Sequence, residues 1–390
     1  MTAPEAVVLV AGSEIDKSLA ALGAGLDFLL HITPANTSTA YYEFAEGGYL
    51  TEPTFEYRQL PFDPALLKRE LYELPLEEVA DPTVASLLHE KRAELDRMIT
   101  MLEDRDTPRF VLGSLQLYPA VDERLLAEAN TILSSLPSTE PGDDWVTPQE
   151  FAVLAEQEIG VYRQTAPDMH ATVNLRHDMP GIMVSLGRLH LSSTHRIARS
   201  RVEALIQHEV GTHLVTYENG LVQPLLLFSA GLPGYEQTQE GLAMLAEYVS
   251  GGLETNRLRL IAARVIAVDM MTRGAAFVDV FARMHADLGL TPEAAWSVTM
   301  RVTRGGGSSK DAIYLRGLIE ILDHLRSGLS IEPLLIGKIA LAHVPLVEEL
   351  LWRRILEPPL LWPRWLDLDG ADERLDRVKS GMSPMELVGQ

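Results

Sequence analysis

His208 and His213 stand five residues apart in Leu205-Ile206-Gln207-His208-Glu209-Val210-Gly211-Thr212-His213, inside a stretch whose apolar spacing predicts a long helix over 197–217. Histidine, glutamate and a second histidine on one helix form the pattern of a zinc hydrolase. Two imidazoles hold the ion and the adjacent carboxylate works on its water. The usual separation is four residues. On a regular helix, positions four apart differ by about 40° and positions five apart by about 140°, so His208 and His213 cannot grip one ion there. One inserted residue restores the phase, which predicts a π-type turn between Gln207 and Leu214. Gly211 lies inside that interval, where a permissive backbone helps. The alternative is a straight helix carrying two unrelated histidines.

A third ligand is available 27 residues beyond His213, in Gln239-Glu240-Gly241-Leu242-Ala243, which opens a strongly apolar helix. A glutamate from a second helix completes a two-histidine zinc site, which assigns Glu240. Alone, Glu240 also reads as an acidic residue favoured at the positive end of its helix. Glu247 is seven residues on, on roughly the same face, either as an outer partner of a ligand imidazole or as a solvated charge. With no cysteine in the chain, disulfides and thiolate sites are excluded, and any metal must sit on His, Asp or Glu.

The chain has 390 residues, 46% of them hydrophobic, enough for one large domain or two ordinary ones. With 55 Asp and Glu against 33 Lys and Arg, its net charge of −22 repels phosphate backbones and argues against a nucleic-acid partner. No run approaches the ~18 consecutive apolar residues of a membrane span; the greasy stretch 260–268 is broken by Arg264. The start lacks a basic residue ahead of its short apolar run, so it makes a poor signal peptide. A cytoplasmic protein without a membrane partner is expected. The breaker-rich 134–145 places a boundary near 140, separating an N-terminal α/β region (1–140) from a mainly helical catalytic domain (141–390). In the first part, 33–64 reads as irregular chain rich in aromatics that pack rather than line a groove, 65–103 as helix interrupted at Pro82, 110–117 as a strand and 122–133 as helix. In the second, Thr147-Pro148-Gln149-Glu150 is a capping box that starts a helix at 148. Strands are expected at 173–175 and 182–191. Helices follow over 236–250, 255–272, 275–288, 292–300, 309–326 and 344–355.

Several of these motifs together resemble a known family. His-Glu-x-Gly-Thr-His at 208–213, Asn219-Gly220, Gln-Glu-Gly-Leu-Ala at 239–243, and the later glycine run with Lys310-Asp311 and Tyr314-Leu315 are similar to the QEGLA-motif proteins. These are bacterial proteins labelled as flavohemoglobin expression-modulating and related to the eukaryotic microtubule-associated tyrosine carboxypeptidases. The resemblance runs from about Thr33 to Pro363. It implies that His208, His213 and Glu240 bind zinc and that Glu209 is catalytic. A similar five-residue histidine spacing occurs in the dipeptidyl peptidase III family.

Arg301-Val302-Thr303-Arg304-Gly305-Gly306-Gly307-Ser308-Ser309-Lys310-Asp311 joins two basic residues to a glycine run and a helix start. Backbone amides and a helix N-terminus attract anions, which suggests a carboxylate or phosphate pocket; a flexible connection capped by Ser308 is the alternative. The run is not a nucleotide P-loop. In a carboxypeptidase it would hold the substrate's terminal carboxylate on Arg304 or Lys310, with Tyr314 near the scissile bond. Arginine's bidentate geometry favours Arg304. The remaining histidines, including His177, His190 and His195, have no ligand spacing. The expectation is therefore a mainly α protein with a small β-sheet element and a zinc-metallopeptidase-like helical catalytic domain. It would hold one zinc per chain and act on a peptide or protein C-terminus. The rival is a regulatory or binding protein with a structural or vestigial zinc site, which would have no use for Glu209.

Overall fold

The computed structural model of the chain describes residues 3–139, 142–177, 179 and 181–388, with side-chain surroundings from Glu14 onward. The boundary expected near 140 falls on residues 140–141, outside the described ones, as do the first two residues of the N-terminal stretch. Helix accounts for 63% of the structure and strand for 5%, so the protein is mainly α with a small sheet element.

Local chemistry sets many of the helix starts. Asp63 and Asp81 each precede a proline at the first helical position and accept backbone N–H groups of the first turn, starting Pro64–Glu73 and Pro82–Glu103. At Thr147 both halves of the capping box form, with Glu150 N–H donating to Thr147 Oγ1 at 3.2 Å and Thr147 N–H to Glu150 Oε2 at 2.8 Å. The expected helices at 255–272 and 292–300 appear as Thr255–Thr272 and Pro292–Thr303.

The N-terminal region departs from expectation. Phe110–Leu117 is a helix rather than a strand. An eight-residue apolar run has no decisive period, and here tertiary packing chooses: Gly113 rests on Met101 so closely that a Cβ would lie 2.5 Å from its Cγ. Among the described residues before 140 no strand forms, so the α/β character expected there is replaced by helices. Within 33–64, Thr37–Glu46 is helical and drives Phe44 into Phe277, Phe281 and Trp296, with ring centroids 4.9–5.5 Å apart. The aromatic stretch is packing.

By length and composition the segment Glu14–Glu46 is apolar enough to cross a membrane. It is not one straight helix: Ala3–Gly25 ends before Asp27, which is left-handed, and Phe28–Ile32 ends before Thr37. Its Ile15, Leu19, Leu26, Phe28 and Ile32 join the main core.

That core unites the N-terminal helices with those from Leu225 to the C-terminus. A second cluster links the helix Pro148–Tyr162, the small sheet and the underside of the histidine helix through Val210, Leu214 and Val215. In the sheet, Thr172–Arg176 runs parallel to Arg188–Ser192, which pairs antiparallel with Ile182–Ser185. The single strand expected at 182–191 is a hairpin turning at Leu186-Gly187, both with positive φ. It packs against the segment that carries His213.

Candidate metal centre

The histidine helix is built in three parts: α-helix Val202–His208, a π turn Glu209–Leu214, and α-helix again over Val215–Leu221. The predicted extra residue is present, and it brings the two imidazoles to 5.0 Å between centroids. The wider turn is supported by Thr212, whose hydroxyl donates to the Gln207 carbonyl at 3.0 Å. Gly211 is required by space rather than by backbone angle. A Cβ there would lie 2.4 Å from Gln207 Oε1 and 3.1 Å from Trp365.

Glu240 reaches the pair from the helix Tyr235–Val249. That helix is held close by Ile313–Arg326, because Gly241 and Gly317 face one another; a Cβ on Gly241 would lie 2.3 Å from the Gly317 carbonyl oxygen. Ligand atoms of His208, His213 and Glu240 lie within 4.8 Å of one another, a set that can hold one ion. Among the described residues no other group of His, Asp and Glu is so placed. His208 Nδ1 is 2.9 Å from Glu247 Oε1 and His213 Nδ1 is 3.4 Å from Gln239 Oε1. Both acceptors require Nδ1–H, which leaves each Nε2 lone pair directed inward, as a metal ligand needs. Glu209 is buried beside them, its Oε1 4.0 Å from His208 Nε2.

The electrostatics divide the carboxylates. Burial alone would raise Glu247, but Arg257, Arg201 and His208 hold it well below the usual range, with Arg201 at 2.9 Å and Arg257 at 3.3 Å. Burial pushes Glu209 up to about 7 against the attraction of His208. Burial, with the charges of His208 and Lys338, holds His213 well below its ordinary value, so its imidazole is neutral and able to ligate. Burial pulls His208 down as well, but the hydrogen bond to Glu247 and the charge of Glu209 carry it above its ordinary value.

The residues expected to bind substrate fall in different places. Tyr314 is half-buried under Arg264, whose guanidinium carbon is 4.8 Å from the ring centroid. Burial first, and then the charge of Glu240, raises its hydroxyl. Arg304 is buried, its Nε lacks a hydrogen-bond partner and Nη1 donates to Thr33 Oγ1 at 3.4 Å. Lys310 pairs with Glu236 and lies over the Tyr118 ring at 5.1 Å, so its charge is already neutralised within the protein. The glycine run is no cradle of free amides. Gly305 N–H donates to Tyr57 Oη at 2.9 Å and Gly307 N–H to the Arg304 carbonyl. The run is glycine because Gly305, at φ 71°, passes the Phe110 ring where a Cβ would clash at 2.6 Å.

Sequence reading named Arg301 only as one of the basic pair before the glycine run, and gave Arg264 no role. Arg301 makes two bonds to Asp311, at 2.5 and 2.8 Å, whereas Arg264 is 3.8 Å from the same carboxylate and its Nε has no hydrogen-bond partner. Arg264 and Arg301 thus share one buried carboxylate, whose charge is also felt at Arg304. A usable signal existed: Arg257 and Arg264, seven apart, fall on roughly one face of their helix, and Arg264 interrupts the apolar run 260–268.

The sequence profile described as microtubule-associated tyrosine carboxypeptidase matches residues 42–383. A search of curated proteins returns no match. With that profile covering most of its length, the chain belongs to the family of microtubule-associated tyrosine carboxypeptidases.

Proposed function

We propose that this protein is a zinc-dependent carboxypeptidase that removes a C-terminal residue from a peptide or protein in the cytoplasm. The observation that carries this reading is the convergence of His208, His213 and Glu240 around one point with the buried carboxylate of Glu209 beside it. The matched family's name supports the subtype, and the spelling Gln239-Glu240-Gly241-Leu242-Ala243 supports a place in the QEGLA-motif branch.

His208, His213 and Glu240 would hold one zinc, which when bound polarises a carbonyl and activates water. Glu209 would take the proton of the attacking water and pass it to the leaving amine; its high affinity for a proton suits that exchange. Glu247 and Gln239 fix the two imidazoles. Arg304, with Arg264, would bind the terminal carboxylate, since the buried Nε of each has no hydrogen-bond partner. Tyr314, under Arg264 and within the field of Glu240, would lie near the scissile bond.

The test is cleavage, followed by mass spectrometry, of a peptide library in free-acid and C-terminally amidated forms. Losing one charge-assisted hydrogen bond of about 1.5–3 kcal/mol should slow the amides by roughly ten- to a hundredfold. Arg304→Ala or Arg264→Ala should erase much of that difference. Equal rates for acid and amide would remove the carboxypeptidase subtype. A zinc-loaded protein that cuts neither would favour a binding role.

A further inference from the structure

Lys338 lies over one ring from each of the two segments that follow or precede the candidate ligands, and it makes no ion pair of its own: the carboxylate that attracts it, Glu236, is already held by Lys310 and Tyr118. Its backbone is fixed in both directions, N–H donating to the Phe228 carbonyl at 2.7 Å and C=O accepting from Leu232 N–H at 2.9 Å. Its half-buried ammonium lies 5.1 Å from the ring centroid of Tyr217 and 5.7 Å from that of Tyr235. Tyr217 is one helical turn beyond His213, and Tyr235 is in the first turn of the helix that presents Glu240. Both rings are thus rigidly tied to ligand-bearing segments, and the charge of Lys338 is felt at His213. Among the described residues this ammonium makes no hydrogen bond or ion pair, whereas Lys91 pairs with Glu94 at 2.7 Å and Lys310 with Glu236. In a chain with 55 acidic residues, an ammonium whose attracting carboxylate, Glu236, is engaged by Lys310 and Tyr118 is left to meet a further negative charge.

The substrate's permanent charge has its own place. Along the helix Tyr235–Val249, Lys338 lies at the Tyr235 end, while Arg257 lies at Glu247 and is on the helix Thr255–Thr272, whose Arg264 covers Tyr314. We propose that Lys338 contacts the oxygen of the scissile carbonyl and stabilises the negative charge it gains during hydrolysis. This rests on the hydrolytic reading above. As the water oxygen bonds to the carbonyl carbon, its proton moves to Glu209 and the C=O electron pair moves onto the oxygen facing Lys338. When that pair returns, the C–N bond breaks and the Glu209 proton goes to the amine nitrogen, releasing an amino acid and the shortened chain. A preorganised cation at this oxygen acts on the transition state rather than on the bound substrate.

Lys338→Met and Lys338→Gln test this, with zinc content and melting temperature measured on each. The expected result is a fall in kcat of roughly 10²- to 10³-fold with KM nearly unchanged, and partial recovery in Lys338→Arg. Calorimetry gives a second readout without turnover. A phosphinic peptide, tetrahedral and anionic at the reacting centre, should bind the two variants at least tenfold more weakly than wild type. An ordinary peptide bound to Glu209→Gln should be little affected by the added substitution. Unchanged kcat and phosphinic affinity in both variants overturns the proposal. So does a raised KM confined to peptides with an acidic side chain, which would mark Lys338 as a side-chain contact, or an activity loss fully matched by lost zinc. Wild-type protein that cuts no peptide overturns the hydrolase reading as well.

Discussion

Glu247, two turns beyond Glu240 on the same helix, accepts the Nδ1–H of His208 at 2.9 Å, so one helix carries a candidate ligand and orients the imidazole opposite it. The carboxylate is fully buried and is shared with Arg201 and Arg257. Glu247→Gln should therefore weaken zinc binding by about 10- to 100-fold, measured by chelator competition. Glu247→Ala, which takes the shared carboxylate from two half-buried guanidinium groups, should also destabilise the fold by about 3 kcal/mol in denaturant titration. A Glu247→Gln protein with wild-type zinc affinity would leave the carboxylate structural only.

Binding and chemistry separate at the histidine helix. Glu209→Gln should retain about one zinc per chain in metal analysis while hydrolysis falls by about 10²–10⁴-fold. His213→Ala and Glu240→Ala should lose the metal itself. Zinc lost from Glu209→Gln but kept in Glu240→Ala would reverse the assigned roles.

The helix pair that presents Glu240 depends on two glycines. A Cβ on Gly317 would lie 2.0 Å from the Gln237 carbonyl oxygen, and backbone cannot swing aside as a side chain can. Gly317→Ala should cost about 1–3 kcal/mol or more. It should lower zinc affinity with it, because Glu240 moves with the helix. Thermal melts with and without zinc provide the measurement, and an unshifted melting temperature would refute the packing argument.

Asp16 is buried and accepts the backbone N–H groups of Leu226 and Leu227, yet desolvation outweighs those bonds and raises it from 3.8 to about 6. A folded-state value above the unfolded one means that protonation favours the fold. The stability it adds is fully present below about pH 4 and is lost as pH rises through about 6, up to about 3 kcal/mol in all. Asp16→Asn should abolish that component. The stability difference between wild type and variant, from urea unfolding, should move in favour of wild type by about 2–3 kcal/mol between pH 7.5 and pH 4.5. A difference independent of pH would show that Asp16 is not strongly desolvated.

How much of this was legible in advance depends on the range of the interactions. Near the metal centre the sequence determined a great deal, because the constraint is local: imidazoles five residues apart face one another only across a π turn, and Glu209–Leu214 forms one. The capped starts at Asp63, Asp81 and Thr147 are equally local. Phe110–Leu117 was misread because its period decides nothing, and the contact with Met101 decides the helix. Lys310 and Arg304 lie six residues apart in one basic, glycine-rich stretch, but only folding gives Lys310 a partner in Glu236 and leaves the Nε of Arg304 without one. Lys338, Tyr217 and Tyr235 come from three distant segments and carry no pattern that links them. Periodicity and capping act over a few residues and can be read along the chain. Whether a charge finds a counter-ion depends on groups a hundred residues away, and only tertiary packing brings them together.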